Sequence, residues 1–144
     1  MIVVDVNVIA YLFIVGDKTD EARQLAVTDR EWRIPFLWRH EFLNVVATYI
    51  RHGGISVDEG KALYRRANQY LAASEMSVDM ERALELATAH GCSAYDAQYA
   101  ALAEALRVHL VTEDKKLTTQ FPAMARTMKT HILTNPMEVL YEDE

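Results

Sequence analysis

Four carboxylates in this chain fall where a strand or helix is expected to begin or end: Asp5, Glu41, Asp96 and Asp114. Asp5 sits in the run Met1-Ile-Val-Val-Asp-Val-Asn-Val-Ile9, which is β-branched at positions 2, 3, 4, 6, 8 and 9, and no Lys or Arg precedes Lys18. A carboxylate in an apolar setting is costly unless neutralised, so its partner is a distant cation or a bound metal. Simpler readings exist for each acid. Asp5 could cap a loop or helix, and Asp96 could be the acidic member of a capping box with Ser93. Glu41 could be a surface glutamate paired with a nearby base, and Asp114 a loop or cap residue. Taken together they say more. Three or four carboxylates in one place cannot all stay ionised without cations. Oxygen-only donors suit Mg²⁺ or Mn²⁺. One or two such ions polarise a phosphoryl group, activate water and stabilise a leaving oxygen. The chemistry implied is phosphodiester hydrolysis.

Whether the four acids meet depends on the elements that carry them. The first run reads as a buried strand bringing Asp5, then Asn7, to its C-terminal end, with a helical turn or short helix from Ile9 to Val15. Gly16-Asp17-Lys18 breaks it, and a polar helix runs from Thr19 or Asp20 to about Thr28. Trp32 to Pro35 forms a second strand. A helix over Leu37–His52, with Phe42, Val45, Val46, Tyr49 and Ile50 at helical spacing, ends at Gly53-Gly54. Ser56 and Glu59 form a capping box that opens a helix to about Ala73. A third strand covers Met76–Val78. Asp79 caps a helix ending at His90-Gly91, and Ser93 opens another that reaches Leu106. Val108–Thr112 is a fourth strand, Lys115–Gln120 a short helix and His131–Thr134 a fifth, weaker strand. The stretch Phe121–Lys129 carries no assignable pattern, and residues 135–144 form a peripheral acidic tail.

Strands alternating with helices give an α/β domain with a mostly parallel sheet, here one domain over residues 1–144 with a helical hairpin inserted at Leu37–Ala73. In such sheets ligands bind at the carboxyl ends of the strands. Asp5 and Asp114 end strands at that edge, and Glu41 lies early in a helix that leaves it. The helix of Asp96 runs antiparallel to the strand after it. Its length of about 20 Å matches that strand plus a turn, so its N-terminus returns to the same edge. Positions 96, 100 and 103 share a face, and Ala100 and Ala103 mark that face as packed on the sheet.

Composition narrows the function classes. Apolar residues make up 51% of 144, with both charge signs present, as in a soluble globular protein. No stretch approaches a membrane span, and the N-terminal residues lack the features of a signal peptide. Cys92 stands alone, which excludes an internal disulfide and fits a reducing cytoplasm. The five histidines are scattered, and most read as surface residues. A net charge of −6 argues against a passive nucleic-acid binder but not against an enzyme whose acids are offset by metal.

Four motifs carry a resemblance: Val4-Asp5-Val6-Asn7-Val8-Ile9, the helix around Arg39-His-Glu41, Ser93-Ala-Tyr-Asp96-Ala-Gln-Tyr-Ala100, and Leu110-Val-Thr-Glu-Asp114-Lys-Lys-Leu117. In order and spacing they resemble the PIN domain family, and within it the VapC-like toxins, from about Met1 to Thr134. The resemblance implies a three-layer α/β/α sandwich and a metal-dependent endoribonuclease. Asp5, Glu41 and Asp96 match the metal-binding triad. Asp114 matches a fourth acid that binds a second ion or acts through water. Asn7 and Thr112 match polar positions that orient the carboxylates. The implied reaction is attack by a metal-activated water on an RNA phosphodiester, transfer RNA among the candidates, leaving a 5′-phosphate and a 3′-hydroxyl. It also implies a homodimer and a cognate antitoxin whose peptide enters the acidic site.

Lys115, Lys116 and Arg39 are candidate contacts for RNA phosphates, as are Arg51 and Arg126. Trp38 and Tyr95 could stack on a base, but core packing is the better expectation for both. Two alternatives remain. Phosphomonoester or phosphoaspartyl chemistry usually needs a second Asp where this chain has Asn7, or a placed lysine. A catalytically silent PIN-like interaction module would bind a partner and do no chemistry, although the presence of all four acids speaks against such decay.

Overall fold

The sheet is assembled around the strand Ile2–Val4 (β1). The computed structural model describes residues 1–135. In chain order β1 is followed by α1 (Val6–Phe13), α2 (Thr19–Thr28), β2 (Trp32–Pro35), α3 (Trp38–Arg51), α4 (Val57–Leu71), β3 (Glu75–Met76), α5 (Met80–His90), α6 (Ala94–Leu106), β4 (Leu110–Val111), α7 (Lys115–Gln120), β5 (Ala125–Arg126) and α8 (Met128–Thr134). The strands lie in the order β3-β2-β1-β4-β5, every neighbouring pair parallel. Val3 pairs with Arg33 on one side and Leu110 on the other, so β1 is central.

Both faces of the sheet are covered, which is why its central strands β1 and β4 are apolar throughout. Ile2, Val4, Trp32 and Ile34 pack with Val8, Ile9, Leu25, Phe42, Leu71 and Met128, so α1, α2, α3, α4 and α8 form one layer. Val3 and Leu110 pack with Leu86, Ala97, Ala100, Ala103, Leu117 and Phe121, so α5, α6 and α7 form the other. This is the expected three-layer α/β/α sandwich. The expected hairpin between the second and third strands is present as α3 and α4. Its helices approach closely at Gly60, where a Cβ would come within 2.9 Å of the Val46 side chain.

Several boundaries differ from the sequence reading. The first strand stops at Val4, and the β-branched residues after it are helical. Asp5 turns the chain by accepting the Val8 N–H at 3.1 Å. Burial of Val8 and Ile9 then outweighs their modest helix propensity. The expected strand at His131–Thr134 is helix α8. Thr127 caps it by accepting the Thr130 N–H, and Glu113, fifteen residues earlier, accepts the Met128 N–H at 2.9 Å. A short apolar run does not reveal its own period, and part of the cap comes from a residue distant in sequence. The fifth strand lies instead at Ala125–Arg126, within the stretch that carried no pattern. From Pro136 onward the expected acidic tail lies outside the described residues.

Candidate active site at the carboxyl edge of the sheet

Asp5 follows β1 directly and is 5% exposed. Both its oxygens are held: one by the Val8 N–H of the turn it caps, the other by the Thr112 hydroxyl at the end of β4. Thr112 Oγ1 in turn accepts the Asp114 N–H at 3.0 Å, so a single hydroxyl ties the ends of two neighbouring strands together. Asp114 caps α7 by accepting the Lys116 N–H at 2.8 Å. Glu41, in the first turn of α3, accepts the Tyr99 hydroxyl at 2.7 Å. Asp96, in the first turn of α6, is positioned by Ser93, whose hydroxyl accepts the Asp96 N–H at 3.0 Å. The capping role foreseen for Asp5 and Asp96 is therefore real, and it coexists with a place in the acidic group.

The electrostatics link all four acids. Burial raises the Asp5 carboxyl to about 6, the Asp114 charge adds to the rise, and the hydrogen bonds from Thr112 and the Val8 and Asn7 backbones oppose it. Burial also raises Glu41, with a further push from Asp96, against the hydrogen bond from Tyr99. Asp96 is raised by burial and then by Asp114, while Ser93 and Lys116 pull it down. Tyr99, almost fully buried, has its phenol raised well above its ordinary value by burial and by Glu41, Asp5 and Asp96. Asp5, Glu41 and Asp96 each feel another of the acids, and among the described residues Lys116 opposes the rise at Asp96.

The other expected residues divide. Thr112 bonds to a carboxylate as expected of an orienting residue. Asn7 does not do so through its side chain, which is exposed; what reaches Asp5 is its backbone N–H. Lys115 and Lys116 are exposed at the start of α7. Arg39 is engaged elsewhere: its Nε donates to Glu75 at 2.8 Å, and a second guanidinium nitrogen reaches the other oxygen. Arg126 donates to His131 Nδ1. Trp38 is fully buried and donates to Glu75 at 3.1 Å, in line with core packing. Tyr95 is 62% exposed, against the expectation that it packs in the core. Glu113, beside Asp114, is half-buried and bridges Lys18 to the start of α8. Tyr99 was missed as the partner of Glu41. The available signal was its position three residues after Asp96, on the sheet-facing side of the same helix.

The donor chemistry suits a hard divalent cation: oxygen ligands only, mutually repelling, with little local positive charge. Among the described residues, no three His, Cys, Asp or Glu side chains stand close enough together to hold an ion. The fit therefore rests on the donor set and its unrelieved repulsion rather than on a formed cage. No helix among the described residues is long and apolar enough to cross a membrane.

Comparison with known proteins agrees with this architecture. Ribonuclease VapC3 of Pyrobaculum aerophilum is 29% identical over 126 residues, covering 85% of this chain and 96% of that protein. The crystal structure of PAE2754 from Pyrobaculum aerophilum superposes with a TM-score of 0.72 at 21% identity, covering 92% of this chain and 94% of the other. FitAcB from Neisseria gonorrhoeae gives 0.67 at 16% identity, covering 90% and 99% of the two chains. A toxin–antitoxin complex from Klebsiella pneumoniae gives 0.63 at 20%, covering 89% and 98%. At these identities the solved structures speak for the fold. The family model of the PIN domain matches residues 2–121, most of the chain, and the protein belongs to the PIN domain family.

Proposed function

We propose that this protein is a metal-dependent endoribonuclease, the toxin of a toxin–antitoxin pair. The observation that supports the reading is the charge coupling of Asp5 to Asp114, of Glu41 to Asp96 and of Asp96 to Asp114, with burial and this repulsion raising Asp5, Glu41 and Asp96. The relative named as a ribonuclease and the neighbours named as a toxin–antitoxin complex and FitAcB are consistent with it.

In this reading Asp5, Glu41, Asp96 and Asp114 hold one or two Mg²⁺ or Mn²⁺ ions. Such ions, when bound, supply electrophilic stabilisation of the phosphoryl oxygens and lower the pKa of water. The chain's own residues set up the site. Thr112 fixes the Asp5 carboxylate, Tyr99 fixes Glu41, and the cap at Ser93 fixes the start of the helix that carries Asp96. Lys116, whose charge reaches Asp96, is the cation we assign to an arriving phosphate. The partners implied are an RNA, an antitoxin whose peptide competes for the acidic edge, and a second copy of the chain.

The test is incubation of the purified chain with total small RNA, with and without Mg²⁺ or Mn²⁺, beside Asp96→Asn. Discrete cleavage that needs both the metal and Asp96 is expected, with 5′-phosphate ends. Absence of both cleavage and metal binding by calorimetry would overturn the reading in favour of an interaction module.

A further inference from the structure

Beside the acidic edge, α1, α3 and the loop between α1 and α2 enclose an open cleft of about 420 Å³. Asn7 and Tyr11, one helical turn apart on α1, line one wall, Tyr49 of α3 lines the other, and Lys18 stands on the loop. The cleft lies near Asp5: Asn7 is two residues past it, and the Asp5 charge adds to the rise that burial gives the Tyr11 phenol. Its volume lies within the range of small-ligand sites.

The loop is braced rather than free. The Gly16 N–H donates to Thr19 Oγ1 at 2.9 Å, the Thr19 hydroxyl donates to the Ile14 carbonyl at 3.2 Å, and the Thr19 N–H donates to the Gly16 carbonyl. Lys18 Nζ is anchored at 3.4 Å by Glu113, the carboxylate that also holds the start of α8. One anchor leaves two ammonium N–H groups for a ligand. Lys18 is the one cation among the described residues that line the cleft; Asp17 also lines it, and is exposed. Asn7 is exposed and Tyr49 is 45% exposed. A preset cation, two aromatic rings and a free amide form the set that takes an unpaired nucleotide: the cation for phosphate, the rings for stacking, the amide for a base edge.

We propose that this cleft is a nucleotide subsite that takes one unpaired nucleotide of the RNA beside the bond that is cut, with Lys18 on a phosphate, Tyr11 and Tyr49 against the base and Asn7 at its polar edge. The assignment deepens the nuclease reading and rests on it.

The experiment measures binding of a short fluorescent single-stranded RNA of mixed sequence to the cleavage-silent Asp96→Asn protein over a range of salt. Tyr49→Ala is expected to weaken binding about tenfold without changing the salt dependence, and Tyr49→Phe to restore it. Lys18→Gln is expected to weaken binding and make the slope of log affinity against log salt shallower by about 0.7, with Lys18→Arg retaining the slope. Thermal midpoints of the variants separate these effects from loss of fold. Wild-type cleavage of RNA alongside unchanged affinity and slope in every cleft variant would overturn the subsite alone and assign the cleft to a polypeptide. A wild-type protein that neither binds nor cleaves RNA would overturn the nuclease reading and the subsite with it.

Discussion

Glu75 and Glu41 are both carboxylates drawn in against the sheet, and they are treated in opposite ways. The Glu75 side chain is 3% exposed, receives two bonds from the Arg39 guanidinium and one from the Trp38 indole, and is thereby fully matched. Glu41 and Asp5 receive only neutral donors: a phenol, a hydroxyl and backbone N–H groups. The first arrangement is a structural ion pair that fastens α3 to β3. The second leaves negative charge unneutralised, which costs stability and persists where something outside the chain supplies the cation. Burial of an acid is thus uninformative until its partner is known.

The strongest way to break this contrast is to remove charge from the unmatched side. Asp5→Asn and Asp96→Asn are each expected to reduce RNA cleavage by about a thousandfold or more, with circular dichroism unchanged. Retained activity in either variant would remove that acid from the site.

The metal-free protein provides the next test. The Asp5 carboxyl titrates near 6 when folded and near 3.8 when unfolded, so the unfolded chain releases its proton first as pH rises. Stability is then lost between about pH 4 and pH 6, on the order of 3 kcal/mol, and stays lost above that range. Denaturant titrations across this range should show the decline, and Asp5→Asn should flatten it. Added Mg²⁺ at pH 7 should raise the melting midpoint of the wild type and do less for Asp96→Asn.

Tyr99→Phe sharpens the comparison at Glu41. Loss of one hydrogen bond to a charged group is expected to lower kcat about tenfold, with a smaller change in KM. On the matched side, Arg39→Met is expected to lower the melting midpoint by a few degrees through loss of the Glu75 pair, while the rate of RNA cleavage is retained. A large fall in RNA affinity in that variant would return Arg39 to the substrate path.

Much of the fold was legible because strong local signals agreed with it. The caps at Ser56, Asp79 and Ser93 started helices within a residue of where they were expected, since each side chain satisfies an N–H of its own first turn. The expectation that Asp5, Glu41, Asp96 and Asp114 lie toward one edge followed from strand–helix alternation and the parallel sheet it requires. Less legible were features that depend on a partner distant in sequence. α8 receives part of its cap from Glu113, Arg39 is tied to Glu75, and Glu41 is held by Tyr99.

The sequence by itself determined the class of chemistry, because residue type fixes which atoms are donors and periodicity fixes which edge they reach. Only the tertiary structure decided which charges are matched. Asp5 and Asp114 are joined through one Thr112 hydroxyl, and Lys18 is set at the rim of a cleft by a glutamate that caps another helix. The physical reason is that hydrogen bonds and ion pairs act over a few ångströms in space, whatever the separation along the chain, and that separation is all a sequence records directly.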